Sequence, residues 1–363
     1  MTQNPPPHSP RRISIRRVLI VGNYCHDVLI QNGSVVAETL GGAASFISNV
    51  LNALSLSCDL TSKVGYDFKY AVNHAPIVAP AKHTTVFEAY FDMGLDGTGR
   101  PDRVLKRVRA CDPIFPSDLP DARFDFGMAV GVGGEVLPET LEKMVEICDV
   151  VSVDIQALIR DFDPVDGTVK LVNLKESGFY HILPRIGFLK ASSEEALFVD
   201  VEQVKQWCSV VVTNGKEGCR IYHKDEETAV PPFPANQVDP TGAGDSFLGG
   251  FVAGLVEGLA VADAALLGNL FGSVTVEHIG LPKFDLKMLQ KVKDEIQKRR
   301  MQCSTCNGQK ENHEGVGVRN PSGLAEFNIR LSATRLIPDH CLPESTVGPA
   351  LEEPVPQTIG RNL

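Results

Sequence analysis

A chain of 363 residues with 45 acidic against 35 basic side chains carries a formal net charge of −10, which argues against a nucleic-acid partner, since that needs a basic face. Its 43% hydrophobic content is enough to bury the core of one large α/β domain or two ordinary ones. No apolar run approaches the roughly 18 residues of a membrane span, and Val18–Val21 is too short for a secretory signal; with nine scattered cysteines read as reduced thiols, the expectation is a cytoplasmic protein with no membrane partner.

Residues 1–16 are polar and proline-rich, which predicts disorder. Residues 17–22 (RVLIVG) read as a buried strand. Asn32-Gly33 between β-rich runs is a hairpin signal, followed by a helical pattern at GGAASFISNVLNALS and a strand at DLTSKVG. A second hairpin is expected where TTVFEAYF and RVLKRVRA flank a glycine-rich turn. Both pairs, at about 28–40 and 84–110, alternate apolar and polar residues as a sheet wet on one face does. They read as a small β-sheet lid inserted into the first half of a larger domain. From about 124 strands alternate with helices, and runs such as SVVVT and DVVSVD lack alternation, as parallel strands buried on both faces do. The fold expected over 17–300 is α/β, a doubly wound, mainly parallel sheet flanked by helices. Residues 301–363 lose periodicity and read as a disordered tail; Cys303 and Cys306 have only His313, His340 and Cys341 beyond them, at spacing unsuited to zinc.

The most informative stretch is Asp239-Pro240-Thr241-Gly242-Ala243-Gly244-Asp245, which runs into the small-residue helix SFLGGFVAGL. Glycines before a helix let backbone N–H groups converge on an anion, and the helix end adds roughly half a positive charge. A carboxylate beside bound phosphate is repelled unless it is there to take a proton, so Asp245 suggests phosphoryl transfer to a hydroxyl. Taken alone, the turn could equally be a loop whose Asp complements the helix dipole. A second carboxylate, Asp27, follows the first strand; that edge of an α/β sheet is where ligands bind, and a carboxylate accepts hydrogen bonds from vicinal hydroxyls.

The DPTGAGD string resembles the C-terminal signature of the ribokinase-like (PfkB) carbohydrate kinases, and further matches extend that resemblance over roughly residues 17–300. It implies a ribokinase-like fold with a β lid, ATP as co-substrate, Mg2+ as cofactor and a small-molecule polyol as acceptor. By resemblance, Gly242, Ala243 and Gly244 form the anion hole, Asp245 is the catalytic base, and Thr241 borders the nucleotide. Asp27 takes the place of the family's substrate-binding Asp. Gly41-Gly42 matches the N-terminal GG motif, but Phe46 stands where the family has Asn, with Asn49 one turn on as a substitute. Gly65 and Asp67 match the GxD stretch that lines the acceptor pocket. Glu195 in LKASSEEA matches the element that helps hold magnesium through water, with Ser192 in place of its Asn. Thr213, Gly215 and Gly218 match the TxGxxG that borders the nucleotide, and Asn269 falls in the helix over the adenine. Asp154, Gln156 and Arg160 match D-x-N-x-R, with Gln for Asn. Many relatives are activated by potassium near the anion hole, and relatives occur as monomers or homodimers; both points stay open.

The segments GNYCHDVLIQNG, GGAASFISNVL and VDIQALIR narrow the resemblance to the branch of the family that phosphorylates myo-inositol to inositol 3-phosphate. Another sugar or nucleoside, or a catalytically silent family member acting as a regulatory binding protein, are the alternatives.

Overall fold

The computed structural model describes residues 16–95, 101–306 and 323–335. Residues 1–15 of the expected disordered amino terminus, and 307–322 and 336–363 of the expected tail, lie outside them. Strand β1 (Val18–Val21) leads into β2 (Cys25–Gln31) and β3 (Ser34–Gly41), and helix α1 (Ala43–Ala53) returns to β4 (Cys58–Thr61), which pairs with β1. A short parallel pair, β5 (Lys63–Gly65) and β6 (Ile77–Ala79), precedes β7 (Thr85–Leu95) and β8 (Pro101–Arg109). There follow β9 (Phe124–Ala129), α2 (Pro138–Ile147), β10 (Cys148–Asp154) and α3 (Gln156–Ile159). The antiparallel pair β11 (Arg160–Phe162) and β12 (Val169–Leu171) comes next, then β13 (Phe188–Ser192), α4 (Val201–Val204), β14 (Ser209–Thr213), β15 (Cys219–His223) and β16 (Glu226–Val230). Helices α5 (Ala243–Val256), α6 (Val261–Thr275), α7 (Leu286–Cys306) and α8 (Leu324–Arg335) complete the described chain.

The main sheet has eight strands in the order β16-β15-β14-β13-β10-β9-β1-β4, parallel from β4 to β14 and antiparallel at β15 and β16. A four-stranded sheet, β3-β2-β7-β8, stands apart as the lid. The period of two in a strand sends alternate side chains to opposite faces. Accordingly Val18 and Ile20 join a core cluster with α1, α5 and α6, while Leu19 and Val21 join another with α2. Burial on both faces is why these strands are continuously apolar.

The small residues of α5 are there for close packing against α6. A Cβ on Gly254 would lie 2.7 Å from the Ala264 Cα, and one on Gly268 would lie 2.7 Å from the Phe247 carbonyl oxygen. The ladder of glycines therefore seats α5 rigidly, which fixes the turn at its start.

The expected tail needs correction. Helix α7 crosses residue 300, and α8 forms inside the segment read as disordered. Leu324, Phe327 and Leu331 fall three and four residues apart, so they share one helix face; all three are buried, in the same cluster as α6 and α7 side chains. Among the described residues no helix is long and apolar enough to cross a membrane.

Candidate active site

The carboxyl ends of β10, β13 and β14 bring Asp154, Lys190 with Ser192, and Thr213 to the start of α5, where the glycine turn lies. Gly242 caps α5 in the left-handed conformation at φ 76, which favours glycine because it has no Cβ to clash. A side chain there would also meet the buried ring of Phe46, 2.2 Å from an ideal Cβ. Phe46 comes from α1, so the residue that departs from the family pattern is the one that buttresses the turn. Thr241 donates its amide to Asp239 Oδ1 at 2.9 Å, holding the approach to the turn. At the start of α5, Ala243 donates its amide to the Pro240 carbonyl at 3.3 Å and Ser246 to the Gly242 carbonyl at 2.8 Å, while the amides of Gly244 and Asp245 lie too early in the helix to have an acceptor within it.

Two residues past Gly242, a Cβ on Gly244 would fall 2.8 Å from Lys190 Nζ. Lys190 on β13 and Asp154 on β10 are register partners, and Lys190 Nζ donates to Asp154 Oδ2 at 3.0 Å; both are buried. Burial alone would depress the lysine, but Asp154, Glu195 and Asp245 hold its ammonium above its ordinary value. Burial pushes the Asp154 carboxyl up to about 6 against the pull of Lys190. Asp245 is half-buried and accepts from Gln156 Nε2 at 3.0 Å. Desolvation raises its carboxyl above the usual range, with Lys190 and Arg160 acting the other way. Glu195 and Ser192 bond reciprocally: the Ser192 amide donates to Glu195 Oε2 at 2.8 Å and the Glu195 amide to Ser192 Oγ at 3.2 Å. For Glu195, burial opposes ionisation, but Lys190 and the Ser192 amide outweigh it and keep the carboxyl below its ordinary value.

Two cavities meet at this point. The first, about 190 Å³, lies between the lid and the main sheet. Asp27 on β2 borders it with Phe87 and Leu105 of the lid, Phe46, Gln156, Arg160, Lys190, Glu195, Thr241, Gly242 and Asp245. Asp27 reaches that position because its carboxylate lies against Gly41, where a Cβ would sit 2.0 Å from it. The second, about 500 Å³, is bordered by Thr213, Gly215, Gly218, Phe233, Ala243 and Asn269. Gly244 borders both. Asn269 donates its side-chain amide to the Pro231 carbonyl at 2.8 Å and the Val230 carbonyl at 3.3 Å, so it ties down the wall of the second cavity.

Asn49 and Asp67, expected in the acceptor pocket, border neither cavity. Asn49 sits on α1 and donates to the Pro282 carbonyl at 3.0 Å. Asp67 anchors the turn after β5, accepting from the Thr84 amide at 2.7 Å and meeting His83 Nδ1 at 3.0 Å. Burial works against ionisation of Asp67, yet the Thr84 amide and His83 prevail and lower its carboxyl to about 2. In each case the side chain is spent on holding a loop. Conversely, Lys190, Phe87, Leu105 and Val132 line the first cavity without having been singled out in the sequence. Lys190 stood inside the LKASSEEA motif; the three apolar residues carried no signal distinct from core.

A pfkB family carbohydrate kinase model matches residues 177–284. The inositol 3-kinase of Arabidopsis thaliana is 75% identical over 340 residues, covering 92% of this chain and 93% of that protein. The inositol 3-kinase of Oryza sativa subsp. japonica is 54% identical over 301 residues, 80% of this chain and 76% of that one. Among solved structures, a pyrophosphate-dependent kinase in the ribokinase family, in complex with sulfate, matches with a TM-score of 0.64. It is 16% identical and covers 73% of this chain and 97% of its own, a likeness of fold. A sheet with these strand ends, a glycine turn opening α5 and relatives alike over three quarters or more of their length leave one conclusion: the chain belongs to the pfkB family of carbohydrate kinases.

Proposed function

We propose that the protein transfers the γ-phosphoryl group of ATP to a hydroxyl of myo-inositol, giving inositol 3-phosphate, with Asp245 as general base. The observation that carries this reading is the place of Gly244, which borders both cavities, with Asp245 next to it and facing the smaller one. ATP occupies the larger cavity with its triphosphate running to the turn, and the polyol occupies the smaller. The hydroxyl proton passes to Asp245 Oδ2, since Oδ1 is held by Gln156. The freed oxygen forms the new bond to the γ-phosphorus as the bond to the bridging oxygen breaks, and ADP leaves with that electron pair. Amides from Gly242 to Gly244 neutralise charge on the moving group; transfer of this kind is mostly positioning and electrostatics.

The acceptor assignment draws on the 75% identity to an inositol 3-kinase and on the cavity's chemistry. A cyclic polyol offers C–H surface to Phe46, Phe87 and Leu105 and vicinal hydroxyls to Asp27. Magnesium fits Glu195, a carboxylate on the cavity wall whose orientation the Ser192 amide fixes; such an ion is held by one or two carboxylates, waters and phosphates. Held there, such an ion would neutralise charge on the phosphates during transfer. Potassium activation and the oligomeric state are separate proposals that substitution of sodium and light scattering address.

The test is purified protein with ATP and magnesium over a panel of myo-inositol, fructose, ribose and nucleosides, followed by ³¹P NMR. Inositol 3-phosphate is the expected product. A rate on fructose or a nucleoside far above that on myo-inositol overturns the acceptor, and no transfer to any member of the panel overturns the kinase reading.

A further inference from the structure

Helix α8, the last described helix, reaches the outer wall of the larger cavity through Arg335, and nothing in the chemistry above uses that contact. Arg335, the last residue of α8, donates from Nη1 to the Pro234 carbonyl at 2.7 Å and to Ser273 Oγ at 3.0 Å, and from Nη2 to Glu277 Oε1 at 2.8 Å. Pro234 and Ser273 border the cavity. Glu277 Oε1 also accepts from the Asn236 amide at 3.2 Å. One guanidinium thus clamps the loop after β16 to the end of α6. That loop continues through Val238 and Asp239, whose amides donate to the Val276 carbonyl at 2.7 and 3.1 Å, into Pro240 and the glycine turn. The clamp is itself anchored, because Phe327 and Leu331 on the same helix are fully buried. Its side chain is only 18% exposed, so its charge-assisted bonds are shielded from water.

We propose that Arg335 is a positioning residue for the phosphoryl donor: by tying the loop 231–239 to α6, helix α8 sets the affinity of the nucleotide cavity. The proposal rests on the reading of that cavity as the ATP site. Without the fork the loop keeps its ties through Asn236, Val238 and Asp239 but loses its hold at Pro234, so part of its ordering waits for nucleotide and that cost falls on nucleotide affinity. Pro234, Ser273 and Glu277, the residues that Arg335 holds, do not border the acceptor cavity, and the turn beyond them keeps its own ties, Val238 and Asp239 to the Val276 carbonyl and Thr241 to Asp239, so acceptor affinity and the transfer step stay as they are.

The experiment uses the full chain and its R335A, R335K and E277Q variants, each studied well below its own thermal midpoint. ATP affinity is measured by calorimetry without acceptor, and KM for each substrate and kcat by steady-state kinetics. Loss of bonds to a charged group should raise the ATP Kd and KM of R335A about tenfold, with kcat and KM for myo-inositol unchanged. R335K should recover part of the loss, since an ammonium meets one partner but cannot fork, and E277Q should move ATP affinity the same way by less. If R335A fails to fold, E277Q decides. Unchanged ATP affinity in folded R335A and E277Q overturns the proposal, as does a parallel change in kcat and both KM values. Wild-type protein that binds no ATP overturns the kinase reading itself.

Discussion

As the proposed general base, Asp245 would act only when ionised, and its surroundings set the pH at which that holds. Desolvation raises its carboxyl while Lys190 and Arg160 oppose the rise, so the acid limb of kcat/KM should lie above the ordinary Asp value of about 4. A pH–rate profile for myo-inositol whose acid limb falls below that value would contradict the assignment. Asp67 behaves in the opposite sense. Its folded carboxyl is lowered to about 2, so the stability it adds is fully present above its unfolded value of about 3.9 and is lost as pH falls toward about 2. Asp67→Asn should therefore flatten the acid dependence of the thermal midpoint between about pH 4 and 2, with KM for the acceptor unchanged. A raised acceptor KM at neutral pH would return Asp67 to the pocket. The motif alone could not separate these roles, because a carboxylate that anchors a turn and one that binds a hydroxyl look the same in KVGYD. Phe46 carries the converse lesson: it is read as a departure from a pattern, but its ring supports Gly242.

Helix α5 was legible because its glycines, first-turn Asp and small-residue face agree with one another at every level. The pairing of Lys190 with Asp154 was not, since they lie 36 residues apart and meet only because β10 and β13 are neighbours in the sheet. Strand order is a tertiary fact that strand pattern does not carry. Helix α8 lies between these cases. Its spacing of Leu324, Phe327 and Leu331 is helical, but Ala325, Ile329 and Ala333 on the opposite side blur the contrast between faces, and the twelve residues were outweighed by the irregular composition around them. Because Leu331 is fully buried, Leu331→Ala should lower the unfolding free energy by about 2–5 kcal/mol in a denaturant titration. A loss under about 1 kcal/mol would mean that α8 is not part of the core.

Across the molecule, the main sheet delivers three groups of side chains to one place: the charged pair from β10 and β13, the wall of the larger cavity from β14 and the loop after β16, and the turn that opens α5. The lid adds Asp27, Phe87 and Leu105 from a separate sheet, so closing it over a polyol would exclude water from the transferring group. On the proposed reading, donor and acceptor occupy different cavities, which share Gly244. This division makes a sharp test possible, because binding and transfer can be measured independently. In Asp245→Asn, which keeps the shape and the Gln156 contact distance, ATP and myo-inositol should bind with near wild-type Kd while kcat falls about 10²–10⁴-fold, the contribution of a general base. A kcat within a few-fold of wild type, or a loss that lies wholly in the binding of either substrate, would show that the proton leaves by another route.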